Sequence, residues 1–245
     1  MARYQIILAY DGTGFVGSQR QAVSRTVQGE LERSLRKLGW TGRSVLLAGR
    51  TDTGVHASGQ VAAFDLDWGH GLDDLASALN AHLPADMAVR EARVAPDGFQ
   101  PRFDATGRVY RYRLFCQQLR DPLRERYAWR VWPKVADLTK LAGIWLGRHD
   151  FAAFGSPMKP GGSTVRTVQD AHWRRHGSEW TFEIRADAFL YRMVRRLVFV
   201  QVAAGQGRLS LEELTSALET PSKLLAGIAP AAGLTLMEVC YDAQA

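Results

Sequence analysis

One ordering of sequence patterns limits the fold more than any other feature of this chain. In the first hundred residues a short β-prone run, Tyr4 to Tyr10, is followed by a helical stretch. In "TVQGELERSLRKLG", Val27, Leu31, Leu35 and Leu38 recur at helical spacing. Thr26 is placed to cap that helix and Gly39 to end it. Two more strands (Ser44 to Ala48 and Gly59 to Leu66), a helix stopped by Pro84 and a strand from Ala88 to Val94 complete the set. From about Ala105 the same order roughly returns: strand "RVYRYRLFC", helix "DLTKLAGIWLG", strands "TVRTVQDAHWRR" and "EWTFEIRAD", long helix "AFLYRMVRRLVFVQVAAG". A second helix, "SLEELTSAL", and a closing strand, "LTLMEVCYD", follow. Strands this close in sequence pair antiparallel. The expectation is an α+β chain of two similar halves, residues 1–104 and 105–245. Their sheets are expected to join into one extended, mainly antiparallel sheet with helices packed on it and a central cleft.

With 245 residues, 46% of them apolar, each half can bury its own core. The formal charge of +6 favours a polyanionic partner. Arginine outnumbers lysine 26 to 5, which leans weakly toward phosphate and base contacts; biased codon usage explains the skew equally well. Two cysteines, Cys116 and Cys240, make neither a disulfide framework nor a zinc site. No apolar run reaches a membrane span, and the N-terminus lacks a signal-peptide core. The expectation is a cytoplasmic protein.

"GTGFVG" (Gly12 to Gly17) spells G-x-G-x-x-G, but no helix opens behind it and no acidic residue sits where a ribose would need one. Its glycines are better read as letting a loop approach a neighbour closely. Gln19, Arg20 and Gln21 follow on that loop and are candidates for touching RNA. His172 and His176 are four apart, yet they fall in a strand pattern and no Glu lies between them, which argues against a metal site.

"AGRTDTGVHA" (Ala48 to Ala57) is different. An apolar strand delivers Arg50 and Asp52 into a loop relaxed by Gly49 and Gly54, with His56 just beyond. A carboxylate enclosed there needs a cation to stay ionised. In "AFLYRMVRRLVFV", Phe189, Leu190, Met193, Val194, Leu197 and Val200 share one helical face, and Arg195 lies nearly opposite, flanked by Tyr191 and Phe199. That position makes Arg195 a candidate partner. In "RVYRYRL", period two puts Arg108, Tyr110, Tyr112 and Leu114 on one strand face and Arg111 and Arg113 on the other.

"GRTDTGVHA" resembles the signature of tRNA pseudouridine synthases that act on uridines 38, 39 and 40 of the anticodon arm. "YDGTGFVGSQRQ", "TVQGELE", "SALNAHLP", "RVYRYRL", "GRHDFAAFG", "FLYRMVRRLV" and "APAAGLTLMEVCYD" agree in order, so the resemblance spans nearly the whole chain. It implies Asp52 as the essential carboxylate, Tyr110 as the tyrosine stacked on the target uracil, Arg195 as the arginine paired with Asp52, and Arg50 as a group holding the nucleotide out of its stack. His56, Gln19, Arg20, Gln21, Arg111 and Arg192 are the further candidates for holding tRNA, with Arg113 and Arg174 among the arginines expected to follow phosphates. The resemblance also implies no metal, no organic cofactor and a homodimer with tRNA as partner. The chain departs from the family pattern at Ser18, where an aromatic residue is expected, and at Arg196 and Phe199. The alternative class is a non-catalytic basic RNA-binding module. It accounts for the tyrosines but gives Asp52 no task.

Overall fold

The computed structural model describes residues 1–242 other than Pro221 and Lys223. The chain forms two compact units, Met1–Thr106 with Thr235–Ala245, and Gly107–Leu234. Each is α+β with a mainly antiparallel sheet, the class read from the sequence.

In the first unit, β1 (Ala2–Tyr10) lies between β4 (Met87–Val94) and β3 (His56–Leu66), antiparallel to both. A two-residue strand, β2 (Leu46–Leu47), adds to β3. Helix α1 (Val27–Lys37) starts where expected: Thr26 accepts the Gly29 N–H at 3.3 Å, and Gly39 takes the left-handed conformation (φ 85°) that ends the helix. Helix α2 (Leu72–His82) stops two residues before Pro84.

In the second unit the order is β5 (Ala105–Cys116), β9 (Glu179–Ala186), β8 (Val165–His176) and β7 (Gly147–Asp150), all antiparallel, with β6 (Trp129–Val131) parallel to the other side of β5. Its helices are the short α3 (Pro122–Glu125), α4 (Met193–Gly205) and α5 (Leu211–Glu219). Ser210 and Glu213 close a capping box on α5. The last strand, β10 (Leu234–Tyr241), runs parallel to β3, so the closing segment belongs with the first unit rather than with the half that precedes it.

The short α3, β6 and β7 were not expected, β2 is shorter than the Ser44–Ala48 strand, and three further elements differ from the sequence expectation. "DLTKLAGIWLG" forms two 3₁₀ turns, Thr139–Leu141 and Gly143–Trp145, not one helix. Leu138, Ala142 and Trp145 are buried at helical spacing, but Gly143 interrupts the run and the backbone tightens around it. "AFLYR" is not helical. Tyr191 exchanges backbone hydrogen bonds with Ser156, and Arg192 sits at φ 62°, so α4 begins only at Met193. Tyr191 is therefore not one helical turn before Arg195. Finally, β3 starts at His56, three residues earlier than the pattern suggests.

Candidate active site

In the first unit the loop between β2 and β3 carries Arg50, Asp52 and, at the start of β3, His56. Its backbone is held on both sides of Asp52. Gly49 is bracketed by the side-chain amide of Gln60, which accepts its N–H at 3.2 Å and donates to its carbonyl at 2.9 Å. Thr51 and Ser18 form a reciprocal pair. The Thr51 N–H donates to Ser18 Oγ at 2.8 Å, and the Ser18 N–H donates to the Thr51 carbonyl at 3.0 Å. The Thr51 hydroxyl meets the Tyr10 hydroxyl at 2.8 Å, and Gln60 Nε2 reaches Tyr10 Oη at 3.4 Å. Beyond Asp52, Val55 N–H returns to the Asp52 carbonyl at 3.1 Å, a turn that Gly54 permits with φ 77°.

Ser18 and Gln60 have no solvent exposure, and Tyr10 has 4%. Polar groups so deep are retained because each has a partner. Burial also pushes the Tyr10 phenol up from its ordinary value, so it remains a neutral hydrogen-bonding group. Asp52 itself is half-buried and Arg50 exposed.

The G-x-G-x-x-G run serves this loop. Residues 12–14 form a 3₁₀ turn, and a Cβ on Gly12 would lie 2.1 Å from the Val55 carbonyl oxygen. Only glycine allows that approach. His56 is buried beneath it. Its Nδ1 accepts the Gly12 N–H at 3.0 Å and lies 3.2 Å from Asp11 Oδ1. His56 thus ties the glycine turn to the strand that follows Asp52.

Gln19, Arg20 and Gln21 lie on the exposed surface of the loop before α1. Gln21 donates to the Val16 carbonyl at 2.8 Å. Arg20 reaches Glu32 at 2.5 Å, while its side chain stays 46% exposed. Glu32 is 1% exposed and also receives Gln28 Nε2 and the Val45 N–H, both at 3.1 Å.

In the second unit the alternation along β5 is as read from the sequence. Tyr112 and Leu114 are buried on one face, with Tyr110 half-buried beside them, while Arg111 and Arg113 pair with Glu183 and Glu179 on the other. Tyr110 meets the edge of Phe189 with centroids 5.1 Å apart and planes at 86°. Tyr112 Oη donates to the Pro230 carbonyl at 2.8 Å. Burial drives its phenol well above the usual value, opposed by the positive charge of Arg195.

Arg195 Nε–H donates to the Ala229 carbonyl at 2.8 Å, and the Ala229 N–H returns to the Arg195 carbonyl at 3.2 Å. Arg196 grips the same segment through the carbonyls of Leu225 and Gly227, at 2.6 and 2.8 Å. Phe199 covers Gly227, where a Cβ would lie 2.1 Å from the ring, and stacks on Trp129. The two departures from the family pattern on α4 therefore hold the segment that anchors Arg195. Arg192 is exposed, its guanidinium 4.7 Å above the Tyr191 ring.

The sequence reading missed Tyr10, Ser18 and Gln60 as supports of the Asp52 loop. A signal was present: glutamine in the otherwise apolar run "GQVAAF" marks a buried amide that must find partners.

A family profile described as tRNA pseudouridine synthase matches residues 6–104 and 142–242, a span that takes in Asp52 and Arg195 with the clamps around them. The chain belongs to this family. Relatives cover it end to end. The protein named tRNA pseudouridine synthase A of Methylacidiphilum infernorum is 42% identical over 243 residues, 97% of this chain and 95% of that one. Its namesake in Chloroflexus aurantiacus is 41% identical, with 98% and 89% covered. That of Methylobacterium nodulans is 40% identical, with 100% and 98% covered. Among the described residues of this family member, no helix is long and apolar enough to cross a membrane.

Proposed function

We propose that the chain isomerises uridines 38, 39 and 40 of the tRNA anticodon arm to pseudouridine, with Asp52 as the catalytic carboxylate. The reaction exchanges a C1′–N1 bond for a C1′–C5 bond inside one nucleotide, so atoms balance without water or a cofactor. The chain has to flip the uridine out, release the uracil, turn it and rejoin it. A carboxylate suits this as a nucleophile toward sugar or base, or as a base at C2′. Arg195 is assigned the charge that keeps Asp52 ionised and aimed. Tyr110 is assigned the ring that holds the free uracil, with stacking worth about 1–3 kcal/mol. Arg50, exposed beside Asp52, fills the gap left by a nucleotide whose flipping costs a few kcal/mol. Gln19, Arg20, Gln21, His56, Arg111 and Arg192 are assigned to holding or shaping the tRNA contact. The working form is a homodimer, and each chain divides into an Asp-bearing half and a half bearing Tyr110 and Arg195.

One observation supports this reading above the others: the backbone before Asp52 is fixed by the buried Ser18 and Gln60 and that after it by a backbone turn, while Arg50 two residues away is exposed. Preorganised placement of that kind is what a reacting group needs and a general RNA contact does not. The test is Asp52→Asn, assayed by carbodiimide mapping of pseudouridine on unmodified tRNA and by filter binding. The variant is expected to bind tRNA and form no pseudouridine. Wild-type turnover by it removes the assignment.

A further inference from the structure

Alternation along β5, β9 and β8 sorts the second unit's side chains onto two faces of one sheet. On one, Tyr112, Phe182 and Trp173 stand opposite each other in register and are buried, with Trp173 Nε1 bonded to Gln201 of α4 at 2.8 Å. Tyr110 belongs to this face. The reverse face is mainly charged, with Phe115 buried at its end beneath Arg124. Register sets Arg111, Glu183 and His172 in one row, Arg113, Thr181 and Arg174 in the next, and Glu179 opposite His176 in a third. These rows line a groove of about 260 Å³.

Thr181 makes the groove. It is the one short side chain there, and arginines flank it in its own row. Neighbouring strands are about 4.8 Å apart, so those two guanidinium groups spring from positions roughly 10 Å apart with a hydroxyl between them. The charges do not cancel. Arg111 pairs with Glu183 at 2.8 Å, and Glu179 is shared between Arg124 at 2.8 Å and Arg113 at 3.6 Å. Arg174 is exposed and makes no ion pair among the described residues. Among the groove-lining side chains three guanidinium groups thus face one carboxylate, Glu183, with Glu179 and Asp170 beside them. His172 supplies a reporter beside the arginines. Its ring lines the groove, and its Nδ1 lies 3.0 Å from Asp170 Oδ2. The ring is part-exposed at the groove, where a bound anion would change its surroundings.

We infer that this groove is a second anion site, taking a backbone phosphate of RNA remote from the nucleotide that Tyr110 receives. The inference rests on the tRNA reading above and deepens it, because a site on the reverse face of β5 engages a part of the RNA that Tyr110 does not touch. Phosphate fits better than a second copy of the chain, which would bring the same excess of guanidinium groups to this face.

The test is the double variant Arg113→Gln/Arg174→Gln. Its affinity for full-length unmodified tRNA is expected to fall about tenfold at low salt. Each lost phosphate contact lowers the salt slope by about 0.9, so the slope is expected to flatten by between 1 and 2. Inorganic phosphate, titrated while the ring protons of His172 and His176 are followed by NMR, is expected to shift both in the wild type and neither in the variant. A double lysine variant, which keeps the charge, is expected to recover most of the slope and shows that loss in the glutamine variant is not unfolding. Unaltered tRNA affinity and slope in the glutamine variant overturn the inference. So does a change in the sedimentation of the protein alone, which makes this face a contact between copies. So does a response of the histidines to poly-glutamate equal to that with phosphate, with tRNA affinity unmoved. Wild-type protein that makes no pseudouridine, yet whose histidines respond to phosphate, places the failure in the proposed function and not here.

Discussion

Ser18→Ala separates positioning of the catalytic loop from binding. Ser18 is fully buried, and its hydroxyl is the acceptor of the Thr51 N–H, immediately before Asp52. The substitution removes one atom and leaves the backbone bond from Ser18 N to the Thr51 carbonyl, 3.0 Å, in place. The Thr51 N–H is then a buried donor with no acceptor, at a cost of about 1–3 kcal/mol. Either the first unit carries that loss, or the loop turns its N–H elsewhere and takes Asp52 with it. In the second case the rate suffers most, since a shift of about 1 Å in a reacting group costs about 100-fold. The expected result is a single-turnover rate of pseudouridine formation reduced about 10- to 100-fold and a urea midpoint lowered in step with about 1–2 kcal/mol. The tRNA dissociation constant is expected to stay within about twofold, because Ser18 has no surface to offer RNA. Ser18→Thr keeps the hydroxyl and is expected to restore most of the rate. A Ser18→Ala protein as fast and as stable as the wild type refutes the clamp. A variant that loses affinity and rate equally refutes the positioning role.

Other perturbations follow from the same geometry. Gly12→Ala drives a Cβ into the Val55 carbonyl and is expected to lower stability by at least about 2 kcal/mol, read by urea denaturation, with activity lost alongside. Arg196→Met removes the two donors on the Leu225 and Gly227 carbonyls; faster limited proteolysis between residues 225 and 229 and a slower single-turnover rate are expected, through the loosened Ala229 anchor of Arg195. In the first unit, bidentate hydrogen bonds from Arg25, both at 2.8 Å, hold the Asp86 carboxyl below its usual range. A lowered folded-state value means the pair's contribution is present at neutral pH and lost as pH falls through that value. Asp86→Asn is therefore expected to lose stability near neutrality and to show a shallower acid limb in pH-dependent urea melts; an unaltered acid limb counts against the pair.

What the sequence disclosed follows from the range of the interactions involved. The Thr26 cap, the Gly39 stop and the end of α2 before Pro84 are decided within a few residues, and all were legible. The start of α4 was not. Residues 189–192 have helical spacing, but Ser156 claims the backbone of Tyr191 and the chain turns left-handed at Arg192. The same holds at the candidate site. The spelling of "GRTDTGVHA" singled out Asp52, and strand alternation placed Tyr110. The residues that hold the loop were silent because their partners are distant: Ser18 is 33 positions from Thr51, and Gln60 is 50 from Tyr10. A buried serine and a buried glutamine name their own need for partners, not which partners they find.

The direction of that support has a chemical logic. Before Asp52 the loop's backbone is held by uncharged partners, the hydroxyl of Ser18 and the amide of Gln60, with the Thr51 and Tyr10 hydroxyls bonded to each other. A charged clamp in the same places would compete for the carboxylate and shift its readiness to react. Neutral ones fix the position of the loop without adding a charge of their own. Three ion pairs of this unit stand off the loop: Glu32 with Arg20 beside α1, Asp86 with Arg25, and Asp65 with Arg3. Placing Lys or Glu at position 60 tests this division, because a charge of either sign would sit directly behind the Asp52 loop. On the reasoning above, Gln60→Glu damages turnover more than Gln60→Ala does, although it is closer in shape; the opposite ranking, measured by single-turnover pseudouridine formation, refutes the neutrality argument.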